Sequence, residues 1–182
     1  MKNYPFEMSG GMRQRVLIAI AVACNSKLII ADEPTTALDV TTQAQVMELL
    51  LRIVQDMKKS IVVVTHNLGL VTRYAQRIYV MYAGRIVESG TTEDILTRPA
   101  HPYTMGLLKS VPKLEKREGD KLVPIEGAPP NLSCLPGYCA FAPRCPYACE
   151  ECHEKPVPEL HSVDGKLHFA ACHLDPIGGV RK

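Results

Sequence analysis

LIIADEP, Leu28 to Pro34, is the stretch on which the fold turns. A short apolar run that ends in an acid reads as a buried strand. Asp32 then sits at the strand's C-terminal end, where open α/β sheets bind their ligands, and Glu33 follows it directly. The same pattern also suits a strand that ends in a solvated acidic turn. Apolar runs followed by Asp-Glu are common, so the neighbouring segments have to decide.

Before this run, MRQRVLIAIAVACN (residues 12–25) has charge at its start and apolar residues through the rest, as in a helix. After it, TTQAQVMELLLRIVQDMKKS (41–60) has helical period, a Thr start and a basic end. SIVVVTH (60–66) is a β-branched run and reads as a second buried strand. GLVTRYA (69–75) reads as a short helix, RIYVMYAG and RIVESG (77–90) as a strand pair, and TTEDILTRP (91–99) as a capped helix. Helices alternating with apolar strands predict an α/β sheet. From about Val111 Pro, Gly and Cys punctuate the chain and periodicity ends. A boundary is expected near residues 111–125, with domains over 1–110 and 111–182.

MSGGMRQR, Met8 to Arg15, places two glycines immediately before the first helix. Ser9 can simply cap a helix whose first turn is glycine-rich. Alternatively, the bare amides of Gly10 and Gly11 at a helix N-terminus offer a phosphate site.

The 182 residues carry a net charge of +2, which gives no support to a strongly basic nucleic-acid protein. Hydrophobic residues make up 46%, with three Phe and no Trp, so the core is mainly aliphatic. No apolar run approaches the roughly 18 residues of a membrane span, and MKNYPFEMSGG lacks a signal peptide's apolar stretch. A cytosolic chain is expected. Of seven cysteines, Cys24 lies alone in an apolar helix and is expected to be a buried thiol. The other six fall in the last third, a clustering that favours metal over disulfides in a cytosolic chain.

Order and spacing break the tie. Gly10 and Gly11, then Asp32 and Glu33, then TTALD ending at Asp39, then VVVTH ending at His66 follow one another within residues 4–66. This order resembles the ATP-binding subunits of ABC transporters, which run signature motif, Walker B, D-loop and switch histidine. MSGGMRQR stands where that family has an LSGGQ-type signature, with Met12 in place of the usual Gln. The resemblance implies a P-loop NTPase (RecA-like) core, here partial, followed by an irregular cysteine-rich C-terminal extension. It also implies roles. Asp32 would serve Mg²⁺ and Glu33 the attacking water, while His66 would contact the γ-phosphate of ATP. Ser9, Gly10 and Gly11 would press onto ATP held by an opposite subunit, and Asp39 would organise that dimer contact.

The tail narrows the branch. HPYTMGLLKSVP, from His101, resembles a segment shared by subunits that energise oligopeptide, dipeptide and nickel import. Cys139, Cys145, Cys152 and Cys172 match that branch's C-x5-C-x6-C-x19-C motif. The resemblance implies a 4Fe–4S cluster on these four, with zinc as the rival and Cys134 and Cys149 as free thiols. His153 and His173 flank these cysteines and leave a mixed site open.

A P-loop, GxxxxGK[ST], is missing from the sequence, and GLLKS at Gly106 does not qualify. The chain therefore reads as the part of such a subunit from its signature onward, inactive by itself and with an unpaired apolar sheet edge. The implied partners are a second ATPase subunit in a head-to-tail dimer, two membrane permeases and an extracytoplasmic peptide-binding protein, with no nucleic acid. The implied place is the cytoplasmic face of a bacterial inner membrane. Two other readings stay open: a non-catalytic metal-cluster or partner-binding remnant, and an ABC ATPase acting on DNA.

Overall fold

Leu28–Asp32 (β1) and Ser60–Val64 (β2) pair in parallel, in register from Leu28 opposite Ser60 to Asp32 opposite Val64. This is seen in a computed structural model that describes residues 4–36, 38–110 and 124–174. The chain divides into two units, Met1–Leu70 and Val71–Lys182. The boundary expected near 111–125 falls mostly on residues 111–123, which lie outside the described residues.

In the first unit the helices Gly10–Ala23 (α1) and Val40–Asp56 (α2) start on side-chain caps. Ser9 Oγ accepts from the Met12 amide, and Asp39 accepts from the Thr42 amide. The apolar positions of α2 recur at helical spacing, so Val46, Met47, Leu50 and Val54 are all buried. With Ile18 of α1 and Ile29 of β1, Val46, Leu50 and Val54 form the unit's core. The strands were expected to be apolar on both faces, and they are covered on one only. Ile29 is buried, while Ile30 is 68% exposed and Val62 and Val64 nearly half exposed. Cys24 corrects the sequence reading: α1 stops at Ala23, which leaves this thiol exposed at the C-cap, bonded to the Ile20 carbonyl.

A short helix, Leu68–Tyr74 (α3), leads into the second unit. There Arg77–Tyr82 (β3) and Arg85–Thr91 (β4) form an antiparallel hairpin. Ala83 and Gly84 join them with φ of +49° and +78°, the left-handed pair that a two-residue hairpin turn requires. The strand pair expected over 77–90 is thus present, as an antiparallel hairpin that opens a second sheet. Thr91 and Asp94 close a capping box on Thr92–Thr97 (α4). Pro102–Ser110 (α5) follows, and the tail adds Glu150–Glu154 (α6), His161–Ser162 (β5) and Phe169–Ala170 (β6).

The tail is less irregular than its composition suggests. β6 pairs with β4, giving a four-stranded sheet in the order β3-β4-β6-β5. Phe141 enters the core beside Ile78, Val80, Tyr82, Val87 and Ile95. Its ring centroid lies 5.2 Å from Tyr82 and 5.4 Å from Tyr103, in edge contacts. Glu88, fully buried on β4, accepts from the amides of Ala100 and His101 and bonds His168 Nε2 at 2.8 Å. No helix among the described residues is long and apolar enough to cross a membrane.

Candidate functional site

Glu33 leaves β1 with φ of +46°, a backbone region that non-glycine residues enter at a cost. Its amide continues the parallel ladder by donating to the Val64 carbonyl at 2.8 Å. The carboxylate is thereby turned toward the end of β2. Oε1 accepts from the His66 amide at 3.1 Å and lies 2.7 Å from His66 Nδ1, while Oε2 accepts from Thr36 Oγ1 at 3.1 Å. These bonds, the His66 ring first, hold the Glu33 pKa below the usual carboxylate value. Glu33 is therefore a carboxylate at neutral pH, and His66 Nδ1 carries the proton between them. The imidazole is 83% exposed, which leaves its other nitrogen to solvent. Asp32, next to Glu33 at the strand's end, is exposed.

Ser9, Gly10, Gly11 and Asp39 gather where the first turns of α1 and α2 meet. A Cβ on Gly11 would stand 2.9 Å from Thr42 Cγ2. Thr42 is itself fixed by Asp39, which accepts from its amide at 2.9 Å and its hydroxyl at 2.7 Å. Those two bonds also hold the Asp39 pKa down. One glycine of the pair thus has a reason inside the fold, namely room for Thr42. Thr36 and Thr42 escaped the sequence reading, although TT before a cap and after an acid is a hydrogen-bonding signal.

The cysteines behave differently from expectation. Cys139, Cys145, Cys152 and Cys172 line one small pocket together with His101 and His173. Burial pushes the Cys172 thiol up to about 12 and Cys152 to about 11, and Cys145 also rises. Among the described residues no group of three or more His, Cys, Asp or Glu is arranged to hold a metal ion. A 4Fe–4S cluster or tetrahedral zinc at these residues is not supported, and neither is carried further. Cys149, expected to be a bystander, has its sulfur 3.5 Å from that of Cys152, and Cys134 is exposed.

Residues 1–36, with the glycine pair and the Asp32-Glu33 strand end, match the model of the ABC transporter family. Residues 87–152 match the oligopeptide/dipeptide transporter C-terminal region. The chain belongs to the ABC transporter ATP-binding proteins, in their peptide branch. It is 52% identical over 162 residues to the oligopeptide transport ATP-binding protein OppD of Salmonella typhimurium, an alignment covering 89% of this chain and 48% of that one. To AppD of Bacillus subtilis, named for the same transport, it is 55% identical over 152 residues, 84% of this chain and 46% of the other. A solved ABC structure, cbiO1 from Clostridium perfringens, shares 31% identity over 48% of this chain and 35% of its own, at a TM-score of 0.46. The chain spans about half the length of the curated ABC relatives it matches.

Proposed function

We propose that this chain carries the hydrolytic and partner-contacting parts of the ATPase subunit of a peptide importer. The observation that carries the reading is the Glu33 carboxylate, hydrogen-bonded to both the amide and the ring of His66 on the turn directly after Asp32. The reaction is attack of water on the γ-phosphate of ATP. Phosphoryl transfer of this kind needs positioning and charge stabilisation more than a strong base. A carboxylate with a lowered pKa suits that demand: it is fully ionised and orients water by accepting its hydrogen. His66 serves twice, fixing Glu33 through Nδ1 and presenting its exposed ring to the γ-phosphate.

Asp32, a single exposed carboxylate, fits Mg²⁺, which keeps water and phosphate oxygens as its other ligands and neutralises phosphate charge when bound. The amides of Gly10 and Gly11 behind the Ser9 cap face an ATP held by a second ATPase subunit. Asp39, at the same junction, joins that dimer contact. Two permeases and an extracytoplasmic peptide-binding protein complete the assembly, with this subunit at the cytoplasmic membrane face.

The test is ATP turnover by the assembled transporter. Glu33→Gln keeps the shape but removes the charge that orients water, so turnover falls about 10²-fold or more while ATP binding persists. Near-normal turnover in that variant defeats the reading.

A further inference from the structure

Gln43, in the first turn of α2, commits its whole side-chain amide to two loops. Nε2 donates to the carbonyl of Thr35 at 3.3 Å and to that of Leu38 at 3.1 Å. Oε1 accepts from Asn67 Nδ2 at 3.4 Å. The opposite flip would set Oε1 against two carbonyl oxygens, so only this orientation satisfies all three bonds. Both loops belong to the candidate site. Thr35 and Leu38 lie between Glu33 and Asp39, and Thr35 is buried. Asn67 follows His66, and its Oδ1 accepts from the amides of Gly69 and Leu70 to open α3. The Asn67 amide in turn donates to Thr65 Oγ1, which brackets His66 on both sides.

The bond between Glu33 and His66 joins two surface groups, and such bonds hold weakly by themselves. Its length depends on where the two loops sit. We propose that Gln43 is a positioning residue for hydrolysis, clamping the loop after Glu33 to the residue after His66 so that the pair stays at hydrogen-bonding distance. The proposal rests on the hydrolytic reading above.

The experiment is ATP turnover by the assembled transporter carrying Gln43→Leu, in the native background and with His66→Ala. Misplacing a catalytic pair lowers turnover, here by about tenfold, while KM for ATP changes by less than about twofold. In the His66→Ala background the further loss is under about twofold, because the pair is already gone. Gln43→Glu keeps the side-chain length but turns a carboxylate oxygen toward two carbonyls, and it reproduces the loss. A third readout needs no turnover: the ¹⁵N resonances of the His66 imidazole shift in Gln43→Leu as the ring leaves Glu33. Unchanged turnover, or equal loss in both backgrounds with unmoved His66 resonances, overturns the proposal and makes Gln43 a purely structural residue. Full turnover by His66→Ala alone overturns the hydrolytic reading, a distinct result that removes the proposal with it.

Discussion

Replacing Gly11 by Ala sets two effects of similar size against each other. Alanine is favoured over glycine within a helix by up to about 1 kcal/mol, and less at the second helical position. Against this, the new methyl would lie 2.9 Å from Thr42 Cγ2. Relief of that contact requires Thr42 to turn about χ1, which abandons its hydroxyl bond to Asp39 and loosens the α2 cap. Overpacking of this kind costs about 1–3 kcal/mol. The steric effect therefore wins, and Gly11→Ala destabilises the chain by about 1 kcal/mol. Thr42→Ser removes Cγ2 and keeps the hydroxyl on Asp39. In that background the clash is gone, and Gly11→Ala becomes neutral or stabilising by about 0.5 kcal/mol. Urea unfolding followed by circular dichroism reads both differences. If Gly11→Ala changes stability by the same amount in both backgrounds, the Thr42 methyl is not what requires glycine there.

Acid should weaken the fold around His101, whose burial drives its pKa from 6.5 down to about 4. The folded state then binds the proton less readily than the unfolded one, so stability is full above pH 6.5 and falls as pH drops toward 4, by up to about 3 kcal/mol. His101→Asn, which can still accept from the Tyr103 amide, flattens this slope; an unaltered slope refutes the assignment. Alkylation with iodoacetamide under native conditions should mark Cys24 and Cys134, both exposed, well before buried Cys152. Peptide mapping that finds these three labelled at similar rates contradicts the described burial.

Much of the first unit was legible because its signals are local. The runs at 28–32 and 60–64 and the helical spacing of Val46, Leu50 and Val54 each speak for themselves. Family order implied separate roles for Glu33 and His66 at one phosphate but not the bond between them, since residues 33 positions apart carry no mutual signal. Gln43 was missed for the reverse reason: a polar residue in the first turn of a helix reads as solvated unless the loops it serves are known. In the second unit nothing in the sequence announces that Glu88 is buried, because its donors, Ala100, His101 and His168, come from distant segments. Phe169 and Ala170 are too short a run to announce a strand, and they become one only through β4. The cysteine spacing matched a motif and its four residues do reach one pocket, but spacing alone does not fix the separation of the sulfurs.

The order β3-β4-β6-β5 has a consequence for synthesis. The β3–β4 hairpin is complete at Thr91, whereas its partner on the open side arrives only at Phe169. At 5–20 residues per second, a ribosome takes on the order of 4–16 s to supply those intervening residues. Throughout that interval the outer edge of β4 is bare, and Glu88 lacks the imidazole that later bonds it. A nascent chain at this stage offers an unpaired strand edge to its neighbours on the same message. Slowing translation between Thr91 and Phe169 would lengthen the exposure, so the yield of soluble chain should depend on codon choice in that interval more than in the segment encoding β1 and β2.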